Sequence, residues 1–176
     1  LSNEKDQITL IRAAAMCRHA SSIRLTIAGT GPLKRRLQRT ADRLLPGQVE
    51  IGFHRNTEMP ELLRSGDLFV HPSIADLESV SVIEGMASGL VPVIAASSLS
   101  AAGQFSLLDE SLFPVGDVSA LAQRIDWWID HPDELSAWGA RYAEHTRTHY
   151  SVEASVRRFV AMEREVIAGR SGARNA

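Results

Sequence analysis

Across residues 79–108 the chain carries a single charged side chain, Glu84, set in Val82-Ile83-Glu84-Gly85-Met86-Ala87. A helix this apolar is expected to be largely buried, and a glutamate is almost never fully buried unless paired or hydrogen-bonded. Glu84 is therefore either a structural ion-pair or water-facing edge residue, or a carboxylate held rigidly to accept hydrogen bonds from a ligand. The second reading weighs more. Eight residues earlier stands Asp76, in Pro72-Ser73-Ile74-Ala75-Asp76-Leu77-Glu78-Ser79. This segment follows a strand-like run and precedes a helix, whose first free amides form a natural anion site. Ser79 and Ser81 can add hydroxyl donors there. Asp76 or Ser79 may equally be read as a plain helix cap, and capping does not exclude binding.

The elements that must position these residues follow from periodicity. Asn3 is expected to cap a helix with Ile8, Leu10, Ile11, Ala14 and Cys17 inward. A strand over 22–28 runs into Gly29-Thr30-Gly31-Pro32, and Pro32 opens a helix over 33–45. Further strands are predicted over 49–53, 67–71, 91–95 and at Leu112 and Phe113. Helices are predicted over 58–65, 79–88, 152–167, after the Asp117 cap and from Pro132, with 97–107 a short helix. Strand and helix alternate about every 20 residues, the pattern of a doubly wound parallel sheet with helices on both faces. Ligands of such sheets sit beyond the carboxyl ends of the strands. The chemistry is thus expected after Ala28, Phe53, His71 and Ala95.

The chain has 176 residues, 44% of them hydrophobic and 23% charged, with a net charge of −2. That suits one domain and argues against bulk nucleic-acid binding. Cys17 is the only cysteine, which excludes an intrachain disulfide and favours a reducing compartment, with the thiol as core filler. No apolar run reaches the ~18 residues of a membrane span. The start at Leu1, without methionine or secretory signal, suggests an excised piece of a longer protein.

Asp76, seven residues, then Glu84-Gly-Met-Ala-Ser-Gly-Leu-Val-Pro-Val-Ile resembles the Glu-x7-Glu element of GT-B glycosyltransferases of family 4 (group 1). Asp-Leu-Glu-Ser-Val stands where several members read Glu-Leu-Gln-Ser-Ile. Leu25-Thr-Ile-Ala-Gly-Thr-Gly-Pro32 is similar to the second-strand motif, and Leu1-Ser-Asn-Glu-Lys5 to the opening of the C-terminal domain. Gly116-Asp117 ahead of Leu121-Ala122 also fits. The four motifs keep register over essentially the whole chain. The resemblance implies the Rossmann-like C-terminal half of a GT-B architecture, a nucleotide-sugar-binding domain over 1–169 with a flexible tail over 170–176. It further implies that Glu84 binds the donor ribose, Asp76 (or Glu78) the donor sugar, and Lys5 with the amides of Ser79, Val80 and Ser81 the diphosphate. Gly29, Gly31, Gly52, Phe53, His54 and Arg55 would make base or loop contacts.

No metal or cofactor is implied, the donor being a substrate, with UDP the expected nucleotide. Partners would be the donor, an N-terminal domain of the same protein and a lipid or polysaccharide acceptor. The implied location is cytoplasmic, with peripheral contact on the inner membrane face. Three positions depart from the family pattern. The first acid is Asp, one methylene shorter than Glu. The Gly-Gly and Glu after the Val-Pro-Val-Ile strand become Ser97-Ser98-Leu99-Ser100 and Gln104. The arginine expected just before Leu1 lies outside the sequence.

Two other classes compete. A dinucleotide-binding domain of an oxidoreductase needs a third glycine where Lys34 stands. A receiver-like interaction domain lacks clustered acids at the first strand end and leaves Glu84 unexplained. His145 and His149 are spaced for a metal but have no third ligand. His71 and His54 stand at strand ends as pocket-lining candidates. Lys34, Arg35, Arg36, Arg39 and Arg43 form a solvated helix face, with anionic lipid the alternative partner. Trp127, Trp128 and Trp138 read as core and interdomain packing.

Overall fold

Asp117 accepts the amide of Ala120 at 2.9 Å and starts a helix whose Leu121, Ala122, Ile125 and Trp128 are buried, as its period requires. Local rules of this kind place most elements of the computed structural model, which describes residues 1–173, with side chains to 167. In order they are α1 (Gln7–Met16), β1 (Leu25–Ala28), α2 (Lys34–Leu44), β2 (Val49–Gly52), α3 (Met59–Arg64), β3 (Leu68–His71) and β4 (Ala75–Asp76). There follow α4 (Val80–Ala87), β5 (Val91–Ala96), β6 (Leu99–Ser100), β7 (Leu112–Pro114), α5 (Val118–Asp130), α6 (Pro132–His149) and α7 (Val152–Ala173). Short 3-10 turns cover Asn3–Lys5, Ala101–Phe105 and Asp109–Ser111.

Every strand pair is parallel, as the alternation predicts. The hydrogen-bonded ladders are three rather than one: β1-β2, β3-β5-β7 and β4-β6. The central strand β5 is buried from Val91 to Ala95, covered by α4 and α6 and by α5. Pro92 falls before β7 joins the ladder at Ile94, where one edge of β5 is still free for a residue without an N–H. The α1 helix packs on α5 and α2, and α4 packs on α6 and α3. One core gathers Met86, Val93, Ile94, Phe113, Trp128 and Tyr142 around β5; another gathers Ile11, Ile27, Leu37 and Ile51 beneath α1 and α2. Cys17 is buried, its thiol pushed up to about 12 by burial, and it fills the core as expected.

Four expectations change. Asn3 does not cap α1: it opens the 3-10 turn, and Asp6, left-handed at φ 41°, leads into α1. Strand β1 starts at Leu25, because the amide of Ser22 turns back to His19. The segment before α4 is not all loop, since Asp76 lies on β4 in register with Ser100. The expected tail over 170–176 is helical as far as Ala173; residues 174–176 lie outside the described residues. Among the described residues no helix is long and apolar enough to cross a membrane.

Candidate functional site

The end of β3, the β4 strand and the start of α4 converge on one carboxylate. Asp76 Oδ2 accepts the Lys5 ammonium at 2.5 Å, while Oδ1 accepts the amide of Ser79 at 3.0 Å. Lys5 is brought there because the amide of Ile74 donates to the carbonyl of Glu4 at 2.7 Å, stapling the N-terminal turn to the loop. His71 Nε2, at the end of β3, stands 3.3 Å from the same Asp76 oxygen in a geometry that makes no hydrogen bond. Burial alone would raise the Asp76 carboxyl. The bonds from Lys5 and the Ser79 amide, with the charges of Lys5 and His71, outweigh it and hold the group below the ordinary carboxylate range. Burial lowers the His71 imidazole, Asp76 pulls it back up, and Lys5 adds to the lowering.

Ser79 takes a left-handed conformation, φ 52° and ψ 36°, which costs a non-glycine residue about 1 kcal/mol or more. Its side chain is 1% exposed and its Oγ has no partner. The amides of Val80 and Ser81 then head α4 with no carbonyl a turn below them. Val80 and Ser81 are exposed, as is Glu78. On the inner side of α4, a Cβ on Gly85 would lie 2.8 Å from the Phe69 ring, so only glycine lets the helix press this closely on β3. Glu84, the residue before this glycine, is exposed, and among the described residues its side chain makes no hydrogen bond or ion pair. The expected burial of Glu84 and a structural ion pair are both overturned, and the residue sits at the water-facing edge that the first reading allowed. Val82 and Met86 point inward, and a helix of eight residues leaves Glu84 on its open strip.

The loops after β1 and β2 are less uniform. Gly29 and Gly31 have φ of 139° and 154°, and a Cβ on Gly31 would meet the Leu1 backbone at 2.4 Å. The Leu1 amino group donates to the Thr30 carbonyl. The space beside Gly31 is thus taken by the chain's own N-terminal residue, which gives that glycine a structural cause. The amide of Gly29 donates to the carbonyl of Gly52 at 2.7 Å, joining the two loops. Phe53 is 70% exposed. Arg55 is occupied, clamped on Glu58 through Nε at 2.8 Å and Nη2 at 2.5 Å. Beside it, His54 Nε2 is buried and without a partner.

Among the described residues the buried side-chain polar atoms without a partner are Gln7 Oε1, His54 Nε2, His71 Nε2, Ser79 Oγ and Trp128 Nε1. All but Trp128 lie where helices begin or strands end, at one end of the fold. Sequence reasoning placed His54 and His71 at strand ends but missed the approach of His71 to Asp76 and the part of Gln7. His145 and His149 stack at 4.2 Å, with His149 Nδ1 2.9 Å from the His145 carbonyl oxygen. Trp128 is core, and Trp127 stacks on His131 at 4.4 Å.

This arrangement offers acceptors for hydroxyl groups and a cation and amides for phosphate. Residues 1–145 match the family of glycosyl transferases group 1. The chain belongs to that family. Among solved structures it is similar to the catalytic domain of cholesterol-alpha-glucosyltransferase from Helicobacter pylori, at 34% identity and a TM-score of 0.81, covering 84% of this chain and 92% of that one. It also resembles HepE of Anabaena in complex with UDP and glucose (22% identity, TM-score 0.74, 98% of this chain and 46% of that one). Sucrose-phosphate synthase from Thermosynechococcus elongatus matches at 21% identity and TM-score 0.78, over 96% of this chain and 44% of that one. The latter two share the fold, and this chain spans less than half their length. No curated protein matches by sequence. The glycosyltransferase membership and the GT-B type of fold agree with the resemblance read from the four motifs and displace the dinucleotide-binding and receiver-like alternatives.

Proposed function

We propose that this glycosyltransferase domain binds a UDP-sugar at the strand ends and holds it for retaining transfer to a lipid or polysaccharide acceptor of the cell envelope. The reading is carried by the Asp76 network, where Lys5, the Ser79 amide and the unpartnered His71 Nε2 meet on one carboxylate. Glu84 takes the ribose hydroxyls, Asp76 rather than Glu78 a hydroxyl of the transferred sugar, and Lys5 with the amides of Val80 and Ser81 the diphosphate, the Ser79 amide being held by Asp76 Oδ1. Phe53 offers an exposed ring to the base, beside Gly52 and His54. Amides and an ammonium fixed before the reaction stabilise the charge that develops on the leaving diphosphate. That role asks for no metal or cofactor, and transfer by the full protein is expected to survive chelator.

HepE was crystallised with UDP and glucose, which supports uracil as the base. The H. pylori relative is a cholesterol glucosyltransferase, which supports a lipid acceptor. On α2, Lys34, Arg35, Arg36, Arg39 and Arg43 are all exposed, and among the described residues none forms a salt bridge. Such a face suits peripheral contact with anionic lipid on the inner side of a membrane. The acceptor, held in attack geometry across a cleft, would come with an N-terminal domain, so this chain by itself is expected to bind donor but transfer nothing. Calorimetric titration with UDP, GDP, ADP and NAD tests the reading. UDP should bind most tightly; preference for NAD, or no UDP binding, overturns it.

A further inference from the structure

Lys5 and Asp76 are both assigned to the donor above, yet in the ligand-free protein each is spent on the other, at 2.5 Å. A diphosphate carries a negative charge on each phosphate, and it can recruit Lys5 only by loosening that pair. Asp76 is then left with one amide and a largely buried carboxylate. The group standing ready is His71, 5% exposed, with Nε2 unpartnered 3.3 Å away. We propose that His71 is the positioning residue for Asp76 in the donor complex: as Lys5 moves to the diphosphate, the imidazole takes up one proton from solvent and pairs with the carboxylate.

This rests on the donor reading of the site. The charges follow simply. The free site holds Lys5⁺, Asp76⁻ and a neutral ring. The donor brings in negative charge, and an imidazolium offsets part of it while keeping Asp76 ionised to accept a sugar hydroxyl. The charged groups that act on the ring are Asp76, from β4, and Lys5, from the turn ahead of α1. Its partner in register on β5 is Ile94, which adds no charge. Moving Lys5 away removes what opposes protonation and leaves Asp76, which favours it.

The test is calorimetric titration of the protein with UDP near pH 7 in buffers of different ionisation enthalpy. Wild type should take up a substantial fraction of a proton on binding. A folded His71→Gln should take up almost none on the UDP it binds. Because a buried His71→Gln may unfold, imidazole NMR of the wild type gives a second reading, in which one ring should titrate at higher pH once UDP is bound. UDP binding with no proton uptake, or equal uptake by a folded His71→Gln, overturns this proposal and leaves the donor site standing. No UDP binding by wild type sinks the donor site and the proposal together.

Discussion

The two ends of this fold treat buried polar groups in opposite ways. Around α5 and α6 most are satisfied from within, Trp128 Nε1 excepted. Asp126, 7% exposed, accepts the amides of Arg18 at 3.0 Å and His19 at 3.4 Å. The Tyr142 hydroxyl accepts the amide of Leu107 at 2.9 Å and meets Ser111 Oγ at 2.8 Å. At the strand ends, Gln7, His54, His71 and Ser79 each bury a polar atom with no partner, and Ser79 adds backbone strain. An unmade buried hydrogen bond costs about 1–3 kcal/mol. A protein can carry several only if the rest of the fold is secure and something else fills them. The satisfied end stabilises, and on the donor reading proposed above the other end is where a ligand would bind.

Mutating one end should therefore change chiefly stability, and mutating the other chiefly binding. The largest expected effect is at Asp126. Asp126→Ala strands two amides at the α1–α5 contact and should cost about 3 kcal/mol, or roughly 6–12 °C in melting temperature. UDP affinity of the protein that remains folded should not move. A Tm within about 2 °C of wild type would show that water reaches those amides, and the contrast between the ends would narrow.

Asp76 comes next. In the full-length enzyme Asp76→Ala should lower kcat/KM about a hundredfold, equivalent to about 2.7 kcal/mol, because it removes a sugar acceptor and frees Lys5. Glu78→Ala, exposed two residues away, should stay within about threefold. The reverse ranking would mean that the loop turns its other acid to the donor.

The satisfied end was partly legible in the sequence. Asp117 ahead of an apolar period announced its helix, and Trp128 and Cys17 fell into the core as their neighbours required. The role of Asp126 was not legible, because the amides it accepts lie more than a hundred residues away. At the ligand end, Asp76 and the start of α4 could be read from residue type and spacing. The two-residue strands β4 and β6 could not, since so short a ladder has no period. Nor does a serine reveal a left-handed backbone, and Ser79 had no such signal. The burial expected of Glu84 failed for a geometric reason: apolar neighbours on a short helix set its average hydrophobicity, not the direction of each residue. At Gly31, read as a base or loop contact, nothing in the sequence signalled the close approach of the Leu1 backbone.

Exposure sharpens the third expectation. Among the described residues the Glu84 carboxylate has no partner, so Glu84→Gln should leave the melting temperature within about 1 °C. Losing the charge that accepts ribose hydroxyls should weaken UDP about tenfold, or 1.4 kcal/mol. Calorimetry and thermal unfolding of the same two proteins read both quantities. A lowered Tm with unchanged affinity would assign Glu84 to the stabilising end instead.

The smallest effect is on stability against pH. Burial lowers the His71 imidazole, Asp76 opposes this, and Lys5 adds to the lowering, so the folded value lies below the ordinary one. Between the folded value and about 6.5 the unfolded chain binds more protons, and stability there rises with pH. The contribution is whole above about pH 6.5 and is lost as pH falls through the folded value. Tm should therefore decline between about pH 7 and pH 5. His71→Gln should remove part of that slope. His145, lowered by burial and then by His149, gives the same sign from α6, and His145→Gln should remove only its own share. Asp76, held low, acts in a separate window: its contribution is present above about pH 4 and disappears in stronger acid. Saturating UDP distinguishes the two histidines, since it should flatten the His71 part while leaving the His145 part intact. An unchanged slope in a folded His71→Gln would mean that the ring titrates alike in both states, and the strand-end histidine would lose its claim to be held neutral.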